Sequence, residues 1–137
     1  MNLVSRAAAV SACALALTVP AVGAHAGGYN WKTLATVSGG KIQACKLPTT
    51  TNGPWKIKFR VDATRAAGKV SGVATVTKND NNTKDKWTSG WVAKGRVSTI
   101  GTVTLPKDSK YAINAGIGSG QMGDGGSFNA GDIKPCS

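Results

Sequence analysis

Catalysis in this chain would have to rest on a short stock of reactive side chains: six aspartates, no glutamate, one histidine and three cysteines among 137 residues. The histidine lies in an N-terminal stretch with the form of an export signal. Arg6 supplies the positive start, residues 7–19 form an apolar run, Pro20 breaks it, and Ala24-His25-Ala26 has the small-x-small form of a cleavage site. Residues 1–26 therefore read as a cleaved signal peptide, which removes His25 and Cys13, and the run is too short to span a bilayer comfortably. Without an imidazole the mature chain cannot form a Ser-His-Asp or Cys-His arrangement or a histidine-based zinc site. Paired carboxylates for glycoside hydrolysis would have to come from Asp62, Asp80, Asp85, Asp108, Asp124 and Asp132. Nearly all of these stand beside lysine or glycine in apparent turns, the usual setting of turn aspartates. Gly118-Ser-Gly-Gln-Met-Gly123 has the glycine spacing of a dinucleotide fingerprint, but nothing helical follows it to face a pyrophosphate. Asp80-Asn-Asn-Thr-Lys-Asp85 lacks the glycine and terminal glutamate of a calcium loop, with Asp124 and Asp132 the alternative calcium ligands. The expectation is a non-enzymatic protein with no catalytic residues, no cofactor and no metal.

Binding chemistry is better represented. Trp87 and Trp91, if they share one face of a strand, stand about 13 Å apart, a spacing suited to stacking on alternate units of a polysaccharide. Against this, Ser89 and Gly90 invite a bulge that breaks the register, and a small domain needs Trp55 and Trp87 as core residues. Tyr29, Asn30, Trp31 and Lys32 form an aromatic arm near the mature N-terminus, outside the bracket of the cysteines. Such an arm either covers a sheet edge or reaches into a groove of another protein, its rings filling pockets while its backbone adds hydrogen bonds; Lys32 would favour an acidic rim.

Charge and cysteines bound the partners and the compartment. Without the signal, 16 Lys and Arg face six Asp, a net charge of +10. That balance attracts acidic proteins, cell-wall polymers and nucleic acid without choosing among them. Lysines dispersed along the whole chain make nucleic acid less attractive than a concentrated basic stripe would. Cys45 and Cys136 remain, an even number in an exported protein, and read as one disulfide.

The elements that must position these residues are strands. In Trp55-Lys-Ile-Lys-Phe-Arg-Val-Asp62 the apolar residues Trp55, Ile57, Phe59 and Val61 alternate with Lys56, Lys58, Arg60 and Asp62. The pattern has the period of a strand, one face dry and the other wet with mostly positive charge. Residues 70–78 are rich in β-branched and small side chains and read as another strand. Further strands are expected over residues 29–37, 41–46, 87–93, 96–105 and 111–117, and a last one over 127–136. Residues 118–126 read as a glycine-rich loop. Seven or eight short strands and no convincing helix predict a single all-β domain, an antiparallel β-sandwich. It would comprise an arm and first strand over 27–40 and a sandwich over 41–137 closed by the disulfide.

A signal ending Ala24-His25-Ala26, an aromatic arm Gly27-Gly-Tyr-Asn-Trp-Lys32 and a sandwich closed between Cys45 and Pro135-Cys136 resemble the small adaptor subunit of the secreted umbrella toxin particles of actinobacteria. The resemblance covers the mature chain and lies in layout and composition. It implies an adaptor joining a toxin-bearing stalk of helical repeats to a cell-surface-binding lectin subunit, with Tyr29, Asn30, Trp31 and Lys32 as stalk contacts. The expected function is thus a secreted, extracellular protein-binding adaptor in an antibacterial complex. The alternatives are a carbohydrate- or cell-envelope-binding module using Trp87 and Trp91, or a cationic antimicrobial protein.

Overall fold

The computed structural model describes residues 28–137, so the signal-peptide assignment lies outside the described residues. Eight strands, β1 (Lys32–Val37), β2 (Gly40–Lys46), β3 (Trp55–Asp62), β4 (Val70–Lys78), β5 (Thr83–Val92), β6 (Gly101–Leu105), β7 (Tyr111–Ser119) and β8 (Met122–Phe128), are followed by a 3-10 turn at Ala130–Asp132. They form two antiparallel four-stranded sheets, β1-β2-β3-β6 and β5-β4-β7-β8. This is the expected sandwich.

The alternation in β3 decides its placement. Ile57, Phe59 and Val61 are fully buried, while Lys56, Lys58, Arg60 and Asp62 point outward. Burying each such apolar side chain contributes about 1.5–3 kcal/mol. The opposite wall of the core is Val70, Ala74 and Val76 of β4 with Ile113, Ala115 and Ile117 of β7. Tight hairpins join β1 to β2 and β7 to β8. Ser38 and Gly39, at φ of 47° and 81°, make a two-residue turn between β1 and β2 in which both central residues are left-handed, matching the strand twist. A side chain at Gly39 would also strike the Arg65 carbonyl oxygen at 2.2 Å.

Three expectations are corrected. Residues 118–126, expected as loop, are mostly strand: β7 runs to Ser119 and β8 starts at Met122, pairing with β7 from Ile113↔Phe128 to Ser119↔Met122. Of the strand expected over residues 127–136 only residues 127 and 128 are strand, as the end of β8; after Phe128 the chain makes the 3-10 turn, inserts Ile133 into the core and touches β2 through one parallel bridge, Lys46↔Pro135. Of residues 96–105 only Gly101–Leu105 is strand, and Val97 makes a single bridge to Asp62.

The aspartates also differ from their turn-like reading. Asp85 lies inside edge strand β5, and its Oδ2 accepts the Thr104 amide of β6 at 2.7 Å. Asp124 lies inside edge strand β8, and its Oδ2 accepts the Thr36 amide of β1 at 2.9 Å. Each lateral side of the sandwich is thus clasped by one carboxylate bound to a backbone N–H of the facing sheet's edge strand, a group that invites pairing with other chains when left open.

Candidate functional site

The aromatic arm and the C-terminal segment meet on the outer face of the first sheet. Pairing of β1 with β2 stops at Lys32↔Ala44, leaving the edge of β2 open at Lys46. The C-terminal segment takes that place: Lys46 N donates to Lys134 O and Cys136 N donates to Lys46 O, both at 2.9 Å. The disulfide between Cys45 and Cys136, 91 residues apart with Cα atoms at 4.8 Å, fixes it there. Asn30 N then donates to Cys136 O at 2.8 Å. The arm begins outside the bracket of the cysteines in sequence, yet is tied to it in space. Lys32 adds a side-chain bond from Nζ to the Asp132 carbonyl.

The two rings lie over cations of β3. Tyr29 and Trp31 meet edge to face, with centroids 5.6 Å apart and planes at 84°. Lys58 Nζ lies 5.4 Å from the Tyr29 centroid, and Arg60 Cζ lies 4.5 Å from the Trp31 centroid. Each such contact contributes on the order of 0.5–1 kcal/mol where exposed and more where dry. Arg60 is oriented from the other side by Nε donating to Gln43 Oε1 at 2.8 Å, and Gln43 Nε2 reaches Thr33 Oγ1 at 3.3 Å. Burial lowers the Arg60 pKa from its ordinary value, with the Asp62 charge opposing. Burial raises the Asp62 pKa, but bonds from the Thr64 hydroxyl and amide, with Arg60 and Lys41 nearby, bring it below the usual carboxylate value. Lys58 and Arg60 escaped notice as site residues in the sequence. Their signal was the outward half of the β3 alternation, which marks exposure but not what lies over it.

The tryptophan pair does not form one platform. Thr88 stands opposite Val73 and Gly90 opposite Gly72, so Ser89 is an extra residue. Its Oγ accepts the Gly72 amide at 2.8 Å and donates to the Gly90 carbonyl at 2.7 Å. This bulge turns the two indoles to opposite faces. Trp87, opposite Ala74, is partly buried; expected in the core, it packs against the core's margin and stacks on Phe59 with centroids 5.7 Å apart. Trp91, opposite Ser71, is 57% exposed with Lys69 Nζ 5.0 Å from its centroid.

Trp55, expected in the core, packs against its margin and also walls a groove of about 610 Å³ at one end of the sandwich, with Tyr111, Lys107, Asp108 and Asn129. Lys46 and Lys107 lie 5.0 and 4.7 Å from its ring. The candidate calcium ligands are engaged by backbone: Asp124 oxygens accept the Thr36 and Gly125 amides, and Asp132 Oδ2 accepts the Asn129 amide. Among the described residues no three His, Cys, Asp or Glu side chains come together as a metal cluster, and no helix is long and apolar enough to cross a membrane. No protein-family model matches the chain, and no curated protein matches it.

Proposed function

We propose that this is a secreted, non-enzymatic adaptor that holds other proteins in an extracellular antibacterial assembly, with Tyr29, Asn30, Trp31 and Lys32 as its partner contact. The observation that carries the reading is the state of the arm. Its two rings are held ready by the Asn30 bond to Cys136 and by the Lys58 and Arg60 stacks, while Tyr29 stays 37% exposed. Tyrosine, tryptophan and arginine gathered in one place are the residue types that dominate protein interfaces, and ordering them beforehand lowers the entropic cost of binding. The resemblance to the umbrella-particle adaptors supplies the kind of partner. The disulfide supports an oxidising, extracellular setting.

The test is affinity capture from culture medium with the tagged protein and with Tyr29→Ala/Trp31→Ala, followed by mass spectrometry. The wild type should retain secreted proteins at fixed stoichiometry and the double variant should lose them while remaining folded; equal capture by both removes the arm from the mechanism. Exposed Trp91 favours a second reading, an envelope-glycan contact. It predicts retention on insoluble cell-wall glycans that Trp91→Ala abolishes.

A further inference from the structure

The outward row of β3 is a line of cations. Lys56, Lys58 and Arg60 occupy alternate positions, so their attachment points repeat every 6–7 Å, roughly, along the strand. Lys56 is exposed, and its Nζ is steered toward β6 by the Thr104 hydroxyl at 2.7 Å. Lys58 stands opposite Thr102 of β6 on one side and Cys45 on the other. The carboxylate of this row, Asp62, sits at its far end opposite Lys41. The β6 side of the row is thus lysine and threonine, cationic and hydroxyl-lined.

We propose that this row is a docking track for an anionic polyol-phosphate polymer of the cell wall, its phosphates met in turn by Lys56, Lys58 and Arg60 and its polyol hydroxyls by Thr102 and Thr104. In a glycerol-phosphate chain successive phosphorus atoms are separated by six single bonds, as many as in two residues of extended peptide, so extended phosphates repeat at about 7 Å. That repeat matches the cation row. An acidic protein strand has similar spacing, but a stable protein interface needs an apolar centre. The exposed large apolar residues Val73, Trp91, Val97 and Met122 lie off the β3 row, and Tyr29 lies over Lys58, so the end of the row formed by Lys56, Thr102 and Thr104 has no apolar centre. Single-stranded nucleic acid needs ring faces for its bases, and here Tyr29 and Trp31 face Lys58 and Arg60 and meet each other edge to face. Lys58 and Arg60 are shared with the arm, whose rings lie over them, whereas Lys56 is held by Thr104 of β6 on the other side of the row.

The probe is immobilised poly(glycerol phosphate), with binding measured between 50 and 200 mM salt. Three phosphate contacts give a log–log slope of about −2 and a loss of affinity of roughly 20-fold over that range. Lys56→Gln/Lys58→Gln should leave a slope of about −0.7 and roughly a 3-fold loss, and Lys56→Gln alone a value between. Lys84→Gln/Lys86→Gln, on β5 of the other sheet, makes the same change in net charge and should keep the wild-type slope. Thermal melts confirm that each variant is folded, and Tyr29→Ala/Trp31→Ala should still bind the polymer. The proposal is overturned by absence of binding at 50 mM, by a slope unchanged in Lys56→Gln/Lys58→Gln, or by equal weakening in the β5 control. Tighter binding of single-stranded DNA or of poly-glutamate overturns it as well, assigning the row to nucleic acid or to an acidic protein.

Discussion

Replacing Gly101 with alanine should unseat Trp87. A Cβ at Gly101 would stand 1.8 Å from Trp87 Cδ1, 2.1 Å from Nε1 and 2.8 Å from Cγ. Contacting carbons settle at about 3.5–4.0 Å, so the indole must withdraw by about 2 Å. It has little room, because its ring stacks on Phe59 at an interplanar angle of 23°, and Phe59 is fully buried beside Gly101 in the β3–β6 ladder. Overpacking of this kind costs about 1–3 kcal/mol, and loss of the aromatic stack adds about 0.5–1.5 kcal/mol. We expect a total near 3 kcal/mol, which for a domain of this size lowers Tm by roughly 12 °C. The assay is urea denaturation of wild type, Gly101→Ala, Trp87→Ala and the double variant. Trp87→Ala alone should cost about 3 kcal/mol. In its background Gly101→Ala should be within about 0.5 kcal/mol of neutral, because nothing is left to strike, giving a coupling of about 2 kcal/mol or more. Gly101→Ala as stable as wild type, or equally costly with and without the indole, would refute the assignment of Trp87 to the margin of the core and return it to the pool of ligand-binding residues.

Removing either clasp, by Asp85→Ala or Asp124→Ala, should cost on the order of 1–2 kcal/mol by leaving an edge amide without its acceptor. The two sit on opposite sides of the sandwich, so their effects should add; urea midpoints and faster hydrogen exchange at Thr104 and Thr36 report them. Asp62 is held below its ordinary pKa by Thr64, Arg60 and Lys41. Its contribution to stability is therefore complete above the unfolded-state pKa and lost as pH falls through the folded one. The stability difference between wild type and Asp62→Asn should shrink across that acid range and be constant near neutrality, as a pH series of urea midpoints would show. Cys45→Ala/Cys136→Ala opens a loop whose ends are 91 residues apart and should cost about 2–5 kcal/mol. It should also release the C-terminal segment and with it Asn30, read as earlier proteolytic cleavage near both termini.

The all-β class, the sandwich and the bounds of β3 and β4 were legible because their side chains carry the pattern: in β3 every inward position is large and apolar and every outward one charged. The disulfide was legible from cysteine count. β8 was not, because three residues of its sequence Met-Gly-Asp-Gly-Gly-Ser-Phe are glycine and the side chains that remain do not alternate apolar with polar. Its strand state comes from the β7 backbone opposite, where Gly116 pairs with Gly125 and Gly118 with Gly123. Residues 96–100 erred the other way. Their β propensity is high, but the described partner there is one bridge to Asp62, and propensity without a ladder does not hold a strand.

The candidate site divides along the same line. The sequence alone determined which residues are available to bind, Tyr29, Trp31, Trp91 and the lysines, because aromatic and charged types are read directly. Tertiary structure decided what each of them faces. A one-residue bulge at Ser89 sent Trp87 inward and Trp91 outward, and the bridge of Pro135 to Lys46 brought Asn30 to Cys136 and laid the arm over Lys58 and Arg60. Strand register and contacts across about a hundred residues depend on which backbone groups find each other, and no local pattern of side chains encodes that.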